Sequence, residues 1–119
     1  MNGIATYQET TVATGNKGRL IVLLYDGAIK FLGLAIRELE ARNYEAKGRY
    51  ICRAQDIITE LNAVLDMDTG SEIAGNLRRL YGFMSNRLSL ANIRRDPQMV
   101  REVITLLEEL NHSWKAITS

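Results

Sequence analysis

Residues 17–41 read KGRLIVLLYDGAIKFLGLAIRELEA. Within this stretch Leu20, Leu24, Ala28, Phe31, Leu32, Ala35, Ile36 and Leu39 recur at steps of three and four, the spacing that lines one side of an α-helix. Asn16 stands in front as a candidate N-cap. The pattern recurs three times downstream. Behind Asn43, Tyr50, Ile51, Ala54, Ile57, Ile58, Leu61, Val64 and Leu65 form a second stripe that ends near Asp66. Thr69 followed by Glu72 is a capping-box pattern, and Ile73, Leu77, Leu80, Tyr81, Met84, Leu88 and Ala91 make a third stripe that runs to about Ile93. Asp96-Pro97 supplies a cap and a first-turn proline for a fourth, whose inner face is Val100, Val103, Ile104, Leu107, Leu110, Trp114 and Ile117.

Four helices of similar length, joined by connections of a few residues, reverse direction at each turn and pack side by side. The expected fold is all-α: an antiparallel up-down-up-down four-helix bundle over residues 16–119, preceded by an extended N-terminal arm over residues 1–15. The arm follows from Thr6, Thr10, Thr11, Thr14 and two glycines among scattered Ile4, Tyr7 and Val12, a mixture of poor helical propensity. At 119 residues and 46% hydrophobic content the chain suits one domain with a real core.

The 15 basic and 14 acidic side chains nearly cancel, so the whole molecule lacks the field that non-specific nucleic-acid or anionic-membrane binding would use. The lone cysteine, Cys52, forms no internal disulfide and fits a reducing compartment. No segment reaches the roughly 20 apolar residues of a membrane span, and residues 1–6 lack a basic start followed by an apolar run. A cytoplasmic protein without stable membrane insertion is expected.

The search for chemistry returns little. Glu109-Leu110-Asn111-His112 matches one half of a bundle di-iron motif, but there is no second copy and His112 is the only histidine. At 100° per residue His112 lies about 200° from Leu110 and Trp114, facing solvent. Cys52 has no histidine at helical spacing to activate it, and the dispersed glycines form no phosphate-binding loop. No catalytic residue, metal ligand or cofactor site is expected, and the chain reads as a non-enzyme. Arg78, Arg79, Arg87, Arg94 and Arg95 make the third helix basic and Glu102, Glu108 and Glu109 make the fourth acidic, a pairing that adjacent helices satisfy between themselves. Without interleaved exposed aromatics no nucleic-acid partner is expected.

Two features exceed what a bundle needs. The run Leu20-Ile21-Val22-Leu23-Leu24-Tyr25 is apolar on every side of its helix, so either the arm, a partner segment or the bundle's own core covers the surplus. Gly75 and Gly82 share a small outer face with Arg79, Asn86 and Ser89, which a second helix could approach closely. The candidate partner-binding set is therefore Tyr7, the outward part of Ile21, Val22 and Tyr25, with Ile57, Leu61, Tyr81 and the Gly75–Gly82 face.

The blocks Leu24-Tyr25-Asp26-Gly27-Ala28-Ile29-Lys30-Phe31-Leu32, Ala54 to Leu61, Leu65-Asp66-Met67, Leu80-Tyr81 with Asn92, and Leu106 to Trp114 closely resemble the flagellar secretion chaperone FliS family, in order and over essentially the whole chain. One departure is Thr14-Gly15-Asn16-Lys17-Gly18, where the family often opens its first helix with Ser-Pro. The resemblance implies a cytoplasmic export chaperone whose partners are the C-terminal segment of flagellin and the flagellar type III export apparatus, and which prevents premature polymerisation. The residues alone leave room for a non-catalytic helical adaptor or regulatory protein, or for a nucleic-acid binder using the third helix.

Overall fold

The computed structural model describes residues 17–65 and 71–118. They form four helices: α1 Lys17–Glu40, α2 Tyr44–Leu65, α3 Glu72–Arg94 and α4 Pro97–Thr118. Successive helices pack on each other and α4 closes back on α1, so the fold is an all-α antiparallel four-helix bundle. Residues 1–15 and their expected arm lie outside the described residues.

Each helix starts and stops where local chemistry directs. Pro97 opens α4 behind Asp96, whose Oδ1 accepts the amide hydrogens of Gln98 and Met99 at 2.9 and 3.4 Å. Helix α3 is capped by Ser71, whose hydroxyl oxygen accepts from the Ala74 amide at 2.9 Å. This corrects the expectation of a Thr69 cap: Ser71 sits one residue before the first helical turn, where its oxygen reaches the orphan amide, and Thr69 lies outside the described residues. Asn43 precedes α2 and its carbonyl accepts from the Lys47 amide, but its side-chain amide donates to Glu38. Helices α1 and α3 end alike. Arg42 and Arg95 take left-handed backbone angles (φ 63° and 54°), and 6→1 bonds run from Asn43 N–H to the Glu38 carbonyl and from Asp96 N–H to the Ala91 carbonyl.

The core is one apolar cluster. From α1 it takes Leu20, Ile21, Tyr25, Ala28, Leu32, Ala35 and Leu39, and from α2 Ile51, Ala54, Ile58, Leu61 and Val64. Tyr81, Met84, Leu88 and Ala91 of α3 meet Met99, Val100, Val103 and Leu107 of α4. Helices α1 and α2 make the most extensive contact and α3 and α4 the least among adjacent pairs. Small residues explain the difference. A Cβ on Gly27 would come within 3.3 Å of Ile57, so glycine there lets α1 settle against α2, and Ala28, Ala35 and Ala54 help. The buried residues of α4, Met99, Val100, Val103, Leu107 and Asn111, include no glycine or alanine to let a neighbour approach as closely.

Candidate functional site

Four of the expected partner-binding residues are core. Tyr25, Leu61, Tyr81 and Ile21 are 0, 2, 2 and 7% exposed, so the expectation of an outward Ile21 and Tyr25 is corrected by burial between α2 and α4. Tyr25 and Tyr81 meet across the bundle diagonal. Their hydroxyl oxygens are 2.6 Å apart and their rings lie 6.4 Å apart at 54°. Burial raises the pKa of the Tyr25 phenol; Tyr81 is raised further, by burial and then by its bond to Tyr25.

The remaining expected residues divide. Val22 and Ile57 are half-buried. Gly75 is half-buried with the Arg79 side chain 3.9 Å from a Cβ position, and Gly82 is exposed with open space beyond it. Tyr7 lies outside the described residues. The structure therefore joins Tyr25 to Tyr81 and leaves Gly82 on a separate outer face.

Exposed apolar surface collects instead along the seam between α3 and α4. Ile73 and Ile117, expected in inner stripes, are 71 and 74% exposed, and Phe83 is half exposed. Leu77, expected in the core, is only partly buried. At the end of the seam formed by the start of α3 and the end of α4, a pocket of about 260 Å³ is lined by Ile73, Leu77, Leu110, Ser113, Trp114 and Ile117. Further along lies a second depression edged by Phe83, Leu106 and Thr105, beside the Arg87–Glu102 ion pair at 2.8 Å. That pair is one instance of the expected complement of basic α3 and acidic α4, which Arg94 and Arg95 do not join. Trp114 is half-buried and lines the pocket. Such a surface suits the apolar face of an amphipathic segment.

A family model described as flagellar protein FliS matches residues 1–119. The chain belongs to the FliS family. It is similar to the flagellar secretion chaperone FliS of Salmonella typhimurium, with 39% identity over 98% of this chain and 90% of that protein. It also resembles the flagellar secretion chaperone FliSB of Pseudomonas aeruginosa, at 38% over 99% and 97% of the two chains, and the Bacillus subtilis FliS chaperone, at 34% over 96% and 84%. FliS membership places the seam and its pocket in a chaperone family. Among the described residues no helix is long and apolar enough to cross a membrane, and no cluster of three or more His, Cys, Asp or Glu could hold a metal ion. Cys52 and His112 are both exposed.

Proposed function

We propose that the chain is a cytoplasmic export chaperone that binds the C-terminal segment of flagellin, prevents its premature polymerisation and assists its delivery to the flagellar type III export apparatus. The observation that carries the reading is the uncovered apolar seam between α3 and α4 in a member of a chaperone family. Flagellin's terminal segment buries an apolar stripe in filament contacts, so a chaperone that occupies the stripe removes the surface that drives assembly. Ordering a segment that is disordered when free costs entropy, which moderates affinity and permits release.

The client surface in this reading centres on Ile73, Trp114, Ile117 and Phe83. Val22, Ile57, Gly75 and Gly82 contribute where they reach the surface, and Ile21, Tyr25, Leu61 and Tyr81 support it from beneath. Tyr7 and the rest of residues 1–15, which lie outside the described residues, belong to the client-responsive part of this reading. Hydrogen exchange in residues 1–15 should change on saturation with the flagellin tail, and unchanged exchange would remove that part of the reading. The central test is calorimetry with a C-terminal flagellin peptide. Binding with a negative heat-capacity change is expected, and Ile117→Asp should weaken it at least about tenfold while leaving the helical signal intact, because an unpaired carboxylate would be buried on binding. Absence of binding to the flagellin of the same organism would refute the chaperone assignment.

A further inference from the structure

The bundle end opposite the apolar pocket carries the α1–α2 and α3–α4 turns, and its charge is uneven. Residues 37–53 and 87–102 hold nine of the chain's fifteen basic side chains against five of its fourteen acidic ones. All five carboxylates are engaged. Glu45, Glu102 and Glu40 pair with Arg49, Arg87 and Arg101 at 2.9, 2.8 and 3.2 Å. Asp96 caps α4, and Glu38 accepts from the Asn43 side chain at 2.8 Å. Among the described residues none of these carboxylates pairs with Arg42, Arg94 or Arg95, which are all exposed.

The two turns form one surface. The Arg95 guanidinium lies 3.8 Å from the Tyr44 ring centroid, and buried Lys47 on α2 donates to the Asn92 carbonyl at 3.0 Å in the last turn of α3. Ile93 stands 80% exposed beside these arginines. A helix C-terminus attracts cations, which accounts for Arg94 in the last turn of α3. It does not account for arginine in both left-handed turn positions, where glycine is the residue that takes positive φ without a Cβ clash.

We infer that the tip formed by Arg42, Arg94, Arg95 and Ile93 docks an acidic protein segment carrying an apolar side chain. Its guanidiniums meet the segment's carboxylates and Ile93 supplies the apolar contact. A protein fits this tip better than a nucleic acid. The nearest aromatic ring, Tyr44, is already covered by Arg95 and so gives no stacking platform for a base. The whole chain carries a net charge of only +1, which gives little long-range attraction for a polyphosphate. The tip and the apolar pocket lie at opposite ends, so one molecule holds both partners at once. The inference rests on charge and geometry at the tip and is independent of which client fills the seam.

The test uses the full chain and a fluorescently labelled twelve-residue peptide of glutamate and leucine, with a twelve-nucleotide uridine RNA as competitor. Direct binding of the peptide is expected, with amide shifts confined to residues 41–44 and 92–96. The variant Arg42→Gly/Arg95→Gly should bind at least about tenfold more weakly and melt no lower than the parent, since glycine suits both turns. Arg94→Glu, on an exposed side chain, should weaken binding while lowering the melt by only a few degrees through the lost charge at the helix end, so the reading survives even if the glycine pair disturbs the turns. Unchanged peptide affinity in Arg94→Glu, shifts spread over all basic residues, or tighter binding of the RNA than of the peptide would each overturn the inference.

Discussion

Removing one hydroxyl of the Tyr25–Tyr81 pair should cost more than removing both. Their oxygens sit 2.6 Å apart, and both tyrosines are almost fully buried. Tyr25→Phe leaves the Tyr81 hydroxyl without this partner, and Tyr81→Phe does the same to Tyr25. A buried polar group left unpaired costs about 1–3 kcal/mol, so each single variant should lose about that much. The double variant removes the orphaned hydroxyl as well, so it should be more stable than Tyr25→Phe alone by about 1 kcal/mol.

The sole tryptophan makes the assay direct. Urea unfolding followed by Trp114 fluorescence, with far-ultraviolet circular dichroism as a second probe, gives the four stabilities of the cycle. The Tyr25→Phe melt should also fall by about 4 °C for each kcal/mol lost. Additive single and double variants would show that the two hydroxyls do not sense each other and would refute the pairing.

Stability should decline above about pH 10, the ordinary phenol value. Both folded phenols titrate higher than that, so their contribution is complete below the unfolded value and is lost as pH rises toward the folded ones, and the decline should be shallower in the double phenylalanine variant. Lys47 acts in the opposite sense: burial, aided by Arg95, lowers its pKa, so stability from this group rises as pH climbs through the window ending near 10.5. Lys47→Met should nevertheless cost about 1–3 kcal/mol at pH 7 and speed hydrogen exchange in the last turn of α3, because the Asn92 carbonyl and side chain lose their donor. Gly82→Gln should raise stability by up to about 1 kcal/mol, since open space receives the side chain, and should weaken flagellin capture if the outer face of α3 is a contact.

The sequence carried the helices well because each is marked twice, by its stripe and by its ends. The expected first helix, 17–41, is observed as Lys17–Glu40, and the expected ends near Asp66 and Ile93 fall at Leu65 and Arg94. The α3 start was ambiguous because Thr69 and Ser71 both offer a capping oxygen within two residues, and only the backbone decides which one faces the free amides. The run Leu20 to Tyr25 was legible as surplus but not as to where the surplus goes. Helix α1 is flanked by α2 and α4 and faces Tyr81 of α3 across the core, so Leu20, Ile21 and Tyr25 are covered and Leu23 is left 46% exposed. No single-helix pattern contains that information, since it depends on how many neighbours a helix has.

The uncovered seam was hidden for a related reason. Ile73 and Ile117 continue the spacing of the stripes behind them, and a periodic pattern assigns the same side of the helix to every member of a stripe. Burial also depends on position along the axis. Ile73 lies in the first turn of α3 and Ile117 in the last turn of α4, where these antiparallel helices meet at one end of the bundle. At that same end α1 begins, and a side chain at Gly18 would collide with Thr118, so α1 approaches α4 closely while the α3 side stays open. The stripe thus runs past the supply of neighbours. Residues whose spacing assigns them to a core but whose axial position leaves them exposed are apolar without internal reward, which is the property of a surface that a partner helix could complete.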